Sequence, residues 1–240
     1  MNTKNIYYEH DDTSGTSIGV KYEKFLYSCQ SKFQKIEVMK TLKYGNALYL
    51  DGCFMLSEIN QNYYHNTCLD LTPKKSRNIL IVGGGDYGIA SMLVRRNSNA
   101  KVTIVEIDEK VVQISKEYFP NHFKLNKKQL KNVKLVIEDG IVYLRKNLTK
   151  YDCIIVDSTD PVGQAKILYS KNFVKLGNAS LIKGGTLIQQ SGSPIKDMKN
   201  LIRPLVKKYK DIGMNKIMIT SFPMPLYPTG TWCFISAKRA

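Results

Sequence analysis

Apolar positions along this chain follow two different rhythms. Between about residues 25 and 58 they form short runs, FLYSCQS, FQKIEVMKTL, NALYLDG and CFMLSE. Turn signals at Tyr44-Gly45-Asn46 and Asp51-Gly52 separate these runs, as in a set of small β-strands. NQNYYHNTCLDL then reads as a short helix or connector leading to Pro73. From Asn78 onward, strand-like runs alternate with runs of helical spacing. The predicted strands are NILIVG, VTIVEID, VKLVIEDG, YDCIIVD and GTLIQQ, with NKIMITSFP and WCFISAK as a closing pair. The predicted helices follow Gly88 and cover EKVVQISKEYF, GIVYLRKNL, KNFVKLGNASLIK and DMKNLIRPLVKKYK, where Pro204 kinks or shortens the last. NHFKLNKKQLKN reads as a polar connector. The pattern predicts an α/β fold: a doubly wound, mainly parallel sheet over residues 71–240 behind an N-terminal β module over residues 1–70.

Composition narrows the setting. A 43% apolar fraction in 240 residues supports one sizeable core, and no run of eighteen apolar residues or signal-peptide core appears, so a soluble, cytoplasmic protein without membrane association is expected. Five scattered cysteines without a C-x-x-C pair indicate neither a disulfide framework nor a zinc site, and Cys153 and Cys233 read as core thiols. The formal charge of +16 is spread along the chain as lysine, without a nucleic-acid-binding motif, and is expected to be a solvated surface rather than a nucleic-acid site. Against that background, clustered acids stand out.

The stretch GGGDYG after the first long strand has the spacing G-x-G-x-x-G, and Glu106 lies about twenty residues further on, as a ribose-binding acid does. Gly83, Gly84 and Gly85 fit a tight turn close to a ligand, and Gly88 fits close helix–strand packing. Asp86 inside this turn opposes a pyrophosphate and suits a nucleoside carrying positive charge. Each of the next strands also ends in acid: Glu106 and Asp108, Glu138 and Asp139, then Asp157 followed by Asp160. Some of these read as helix caps, Asp108 above all. Crowded carboxylates need a cation, a metal or a shared proton. The three histidines are dispersed, no metal-ligand spacing frames an ion site, and an organic sulfonium or ammonium fits better.

GGGDYG, VEIDE, EDG and DSTDPVG, in this order, resemble the polyamine aminopropyltransferases, spermidine synthase and its relatives. SKFQKIEV, YGNALYLDG, YYHN and LYPTGTW extend the resemblance over nearly the whole chain. It implies a Rossmann-like, S-adenosylmethionine-dependent transferase fold and a homodimer or homotetramer. It implies transfer of the aminopropyl group of decarboxylated S-adenosylmethionine, a co-substrate rather than a cofactor, onto putrescine or a related amine. By resemblance Gln34 contacts the methylthioadenosine part, Gly83 and Gly85 form the nucleoside loop, and Glu106 binds the ribose. Asp139 and Gly140 face the adenine, and Asp86 holds the aminopropyl ammonium. Asp157 is the proton acceptor, with Tyr64, His65, Asp160 and Tyr227 around the amine. No metal is implied. Other readings of the nucleoside loop are a methyltransferase, a catalytically silent binding member and a nicotinamide oxidoreductase.

Four positions depart from the family pattern. Asn60-Gln61-Asn62-Tyr63-Tyr64-His65-Asn66 replaces an acidic segment, Gly192 stands where an acid would reach the far end of a diamine, Gln164 replaces a proline and Tyr87 a small residue beside the nucleoside. These departures lead to the expectation of a neutralised acceptor end and altered acceptor choice, with Gly192→Glu restoring diamine affinity.

Overall fold

Strand alternation and turn residues produce two sheets in the computed structural model, which describes residues 5–59, 61–161 and 163–240. Asn60 and Val162, each within a motif read above, lie outside the described residues. The first sheet is antiparallel in chain order: β1 (Ile6–Asp11), β2 (Thr16–Gln30), β3 (Lys35–Thr41), β4 (Asn46–Leu50) and β5 (Cys53–Ser57). The hairpin of β1 with the first half of β2 was not anticipated, because its residues are mostly polar and half-exposed and give no clean alternation. The sheet curls until β1 meets β5. Glu9 reaches across to accept a hydrogen bond from the Phe54 N–H at 2.8 Å. The Tyr7 hydroxyl donates to Glu37 at 2.7 Å, and its ring lies 4.5 Å from that of Tyr49.

The second sheet contains β6 (Asn78–Gly83), β7 (Lys101–Glu106), β8 (Val133–Ile137), β9 (Tyr151–Asp157), β10 (Leu181–Gln190), β11 (Asn215–Pro223) and β12 (Thr231–Lys238). Their spatial order is β11-β12-β10-β9-β6-β7-β8, parallel from β10 to β8 and antiparallel at β12 and β11. The chain enters at β6, runs outward through β7 and β8, and returns to β9 on the other side of β6. That reversal opens a crevice at the carboxyl ends of β6 and β9, where such sheets bind ligands.

Helices α1 (Gln61–Leu71), α2 (Gly88–Arg96), α3 (Glu109–Tyr118), α4 (Lys127–Lys131), α5 (Gly140–Lys146), α6 (Lys171–Ser180) and α7 (Arg203–Asp211) flank the sheet. The period-two alternation of the strands divides the core. Leu80, Val82, Ile154 and Val156 face α5, α6 and α7 through Ile141, Phe173 and Leu205. Ile79, Ile81, Cys153 and Ile155 face α1 and α2 through Cys68, Ile89 and Leu93. Cys153 and Cys233 are buried free thiols, as expected. The β module docks on α3, with Ile36, Val38 and Leu56 against Val111, Ile114 and Phe119. No helix among the described residues is long and apolar enough to cross a membrane.

Two local expectations are corrected and a third is narrowed. The connector after Pro120 contains α4, started by a reciprocal capping box between Asn126 and Gln129. The helix expected to reach Lys183 stops at Ser180, because Leu181 already pairs with Tyr151 in the sheet. Pro204 stands in the first turn of α7, where its missing N–H needs no partner, so of the two outcomes expected for it the α-helix is shortened, beginning at Arg203 after one wide turn (Met198–Ile202), rather than kinked.

Candidate active site

The glycine turn after β6 is shaped by what crosses it. Gly83 has φ of +86°, and a Cβ there would lie 1.9 Å from the Asp157 carbonyl oxygen. Only glycine therefore lets the exits of β6 and β9 touch, and the Gly84 N–H donates to that same carbonyl at 3.0 Å. Gly85 N–H donates to Glu106 Oε2 at 3.2 Å, while Glu106 Oε1 accepts from Asp108 N–H at 2.9 Å. Asp86 Oδ1 accepts from Gly88 N–H at 2.9 Å, at the start of α2. A Cβ on Gly88 would fall 2.2 Å from His65 Cε1. The helix-to-strand packing expected to demand this glycine is thus replaced by a helix-to-helix contact with α1.

His65 Nε2 lies 3.7 Å from Asp86 Oδ2, so His65 faces the nucleoside-loop acid. His122 Nδ1 is 2.9 Å from the Asp86 carbonyl oxygen. Burial opposes ionisation of Asp86, but the two imidazoles and the Gly88 N–H outweigh it and hold its carboxyl below the usual range.

Asp157 ends β9 and accepts a hydrogen bond from the Tyr64 hydroxyl at 2.8 Å. Burial, reinforced by the charge of Asp86, raises its pKa to about 6. Burial likewise raises Glu106 to about 7 against the backbone N–H groups it accepts from. The Tyr227 hydroxyl donates to the Met55 carbonyl at 3.0 Å, and its ring meets Phe54 and Trp232 edge-on at centroid distances of 5.8 and 4.8 Å.

Gln34, Tyr64, His65, Gly83, Gly85, Asp86, Glu106, Asp139, Gly140, Asp157, Asp160 and Tyr227 all line one cavity at the carboxyl edge of the sheet. Gln34 belongs to the loop between β2 and β3, and its amide donates to Asp108 Oδ2 at 3.1 Å. Asp108 also caps α3 through Lys110 N–H and accepts from Ser31 Oγ at 2.6 Å, so it braces that loop outside the cavity. Asp139 both lines the cavity and caps α5, accepting from Ile141 and Val142 N–H at 2.8 and 3.0 Å. Glu138 points away to an ion pair with Lys146.

Three wall residues escaped the sequence reading. Gln190 closes β10, donating to Asp160 Oδ1 at 2.9 Å and accepting from Trp232 Nε1 at 2.8 Å. A pair of glutamines ending an apolar strand and the only tryptophan were the available signals. Glu9 lines the same end from β1, a strand the pattern concealed. Burial raises its pKa to about 7.

The expected neutralisation is not carried by Asn62 and Asn66, which are exposed on the outer side of α1; among the described residues of that segment, Gln61, Tyr64 and His65 reach the cavity. Glu9 and Asp160 supply acid there instead. Gly192 has φ of +76°, and a Cβ on it would lie 2.6 Å from Asp197 Oδ2, so an acid from five residues further along already fills that space. Tyr87, also with positive φ, packs on Phe123 with ring centroids 4.5 Å apart and does not line the cavity. Gln164 stands exposed on the cavity rim.

Comparison with known proteins matches this geometry. Residues 61–240 match the family model described as the spermine/spermidine synthase domain, and residues 6–58 match the spermidine synthase tetramerisation domain. A polyamine aminopropyltransferase of Methanocaldococcus jannaschii is 37% identical over 238 residues, covering 98% of this chain and 80% of the relative. One from Alkaliphilus metalliredigens is 33% identical over 242 residues, covering 98% and 83%. A spermidine synthase crystallised with the transition-state analogue AdoDATO superimposes with a TM-score of 0.87 at 25% identity, over 100% of this chain and 82% of that one. Spermidine synthase from Thermotoga maritima gives 0.83 at 25% identity, over 98% and 79%. With both halves of the chain and its full-length relatives agreeing, the chain belongs to the polyamine aminopropyltransferase family, the spermidine synthases and their relatives, and is a transferase.

Proposed function

We propose that the chain transfers the aminopropyl group of decarboxylated S-adenosylmethionine to putrescine or a related amine, giving spermidine or its analogue and methylthioadenosine. The observation that carries this reading is the pair of half-buried carboxylates, Asp86 and Asp157, facing one cavity from adjacent strand exits, with the Tyr64 hydroxyl donating to Asp157. Gln34, Glu106, Asp139 and Gly140 hold the nucleoside, and Asp86 receives the aminopropyl ammonium. An ordinary S-adenosylmethionine would bring a carboxylate to the same place and is repelled.

The acceptor nitrogen enters as an ammonium with a pKa of about 10 and has no lone pair until a proton leaves. Asp157 takes that proton and keeps the nitrogen oriented, with Tyr64 fixing the carboxylate and Tyr227 and Asp160 beside the amine. The nitrogen then attacks the carbon next to the sulfonium, the C–S bond breaks, and its electron pair neutralises sulfur as a thioether. The leaving group needs no protonation, so alignment in a water-poor cavity supplies most of the rate. The co-substrate provides the group transferred, and the mechanism requires no other cofactor. The N-terminal module, with Tyr8, Phe25 and Leu42 exposed, forms a homodimer or homotetramer in this reading.

The test is product analysis with decarboxylated S-adenosylmethionine and a panel of putrescine, cadaverine, spermidine and agmatine. Methylthioadenosine released in equal amount with one aminopropylated amine is the expected result. Nucleoside binding without release from any amine would overturn the reading.

A further inference from the structure

Behind the acceptor end of the cavity lies an ammonium that the reaction as described does not use. Lys196 Nζ is 2.7 Å from Asp11 Oδ2 and 3.9 Å from Asp197 Oδ2, and it sits 5.7 Å from the centroid of the Trp232 ring. Its side chain is 12% exposed, whereas the other ion-paired lysines among the described residues are 51–63% exposed. Two elements hold it there. Asp11 ends β1, and Asp197 is fixed by accepting the Ser193 N–H at 2.8 Å in the space left by Gly192. On the cavity side, Trp232 forms part of the wall beside Gln190 and Asp160, and the charge of Lys196 acts on both Glu9 and Asp160. The arrangement therefore gathers four carboxylates, Glu9, Asp11, Asp160 and Asp197, around one internal cation. Crowded carboxylates demand a counter-charge, and a long, partly desolvated side chain held by two acids supplies it permanently.

We propose that Lys196 is a specificity-determining residue whose ammonium stands in for the second charge of a diamine. The acceptor end is thereby partly satisfied before any amine arrives, and a second ammonium gains less there than it would from the same acids alone. Wild-type protein discriminates weakly between a diamine and a monoamine of equal length, and removing the lysine charge sharpens the preference for the diamine. The inference rests on the aminopropyl-transfer reading of the same cavity.

The experiment compares kcat/KM for putrescine and for n-butylamine, which has the same carbon chain and one ammonium. Wild type, Lys196→Gln and Lys196→Arg are assayed, with methylthioadenosine release as the readout. The putrescine-to-butylamine ratio is expected to rise at least fivefold in Lys196→Gln and to stay within twofold of wild type in Lys196→Arg. A purely structural tether would lower both amines together and leave the ratio unchanged, and that result overturns the inference alone. Asp11→Asn, which leaves the lysine and removes one acid, is expected to lower the ratio and serves if Lys196→Gln does not fold; a ratio that holds or rises in it counts against the inference. No methylthioadenosine from wild type with either amine overturns the transfer reading and the inference with it.

Discussion

At the scale of single residues, the account turns on Asp157. Its ordinary carboxyl pKa is near 4 in an unfolded chain and rises to about 6 in the fold, through burial and the neighbouring charge of Asp86. Below pH 6 it holds a proton and cannot take one from the acceptor. The pH profile of kcat/KM for the nucleoside is therefore expected to fall on the acid side with a limb near 6. The limb in kcat is expected at lower pH, because a bound aminopropyl ammonium cancels the Asp86 charge. The same shift bears on stability. A raised carboxyl pKa contributes stability that is full below about pH 4 and lost as pH rises through 6. Asp157→Asn is therefore expected to stabilise the fold by about 1–3 kcal/mol at pH 8, measured by urea unfolding, while cutting turnover by at least about a hundredfold. Asp86→Asn removes a charge-assisted contact of roughly 1.5–3 kcal/mol. Its KM for decarboxylated S-adenosylmethionine is expected to rise tenfold or more, with weaker discrimination against the carboxylated nucleoside. These acids were legible in the sequence because each follows a recognisable strand. Glu9, Gln190 and Lys196 were not, because their roles arise where β1, β10 and the loop after β10 converge, and no local pattern encodes that meeting.

At the scale of elements, close approach decides more than propensity. Gly83→Ala would drive a methyl group against the Asp157 carbonyl at a positive φ, and is expected to lower Tm sharply while disordering both strand exits. Gly192→Glu, attractive from the family pattern alone, meets Asp197 and a φ of +76°. It is expected to destabilise the protein and to leave diamine KM unimproved; tighter putrescine binding with unchanged Tm would contradict the packing described. The parallel strands were readable as continuous apolar runs, since both their faces are covered. The β1 hairpin and α4 were not, because their stability comes from pairing and capping more than from a periodic apolar face. Close packing at Gly88 was legible in the motif, but its partner, the ring of His65, belongs to the helix before the strand and was invisible to spacing.

At the scale of the whole molecule, a chain of net charge +16 places seven of its twenty acids around one cavity. The cationic substrates proposed above thus meet long-range repulsion before short-range attraction. Salt screens the former beyond about 8–10 Å and the buried contacts much less. At limiting amine, kcat/KM is expected to rise between 10 and about 150 mM NaCl, opposite to the usual steering of a ligand toward an oppositely charged protein. A steady fall would show that the pocket field, not the net charge, governs capture. The architecture itself, a mainly parallel sheet behind an N-terminal β module, followed from the alternation of strands and helices, while the inward curl of that module did not. The central claim is that the crevice aligns an S-adenosyl nucleoside and an amine for direct displacement with Asp157 as base. Single-turnover transfer tests it most directly, mixing saturating putrescine with protein preloaded with decarboxylated S-adenosylmethionine, for wild type and Asp157→Asn at pH 8. Wild type is expected to give stoichiometric methylthioadenosine and spermidine, and Asp157→Asn to load the nucleoside with a modestly raised Kd and to slow transfer at least about a hundredfold. Transfer at the wild-type rate in Asp157→Asn, or a loaded wild-type protein that forms no product, would contradict it.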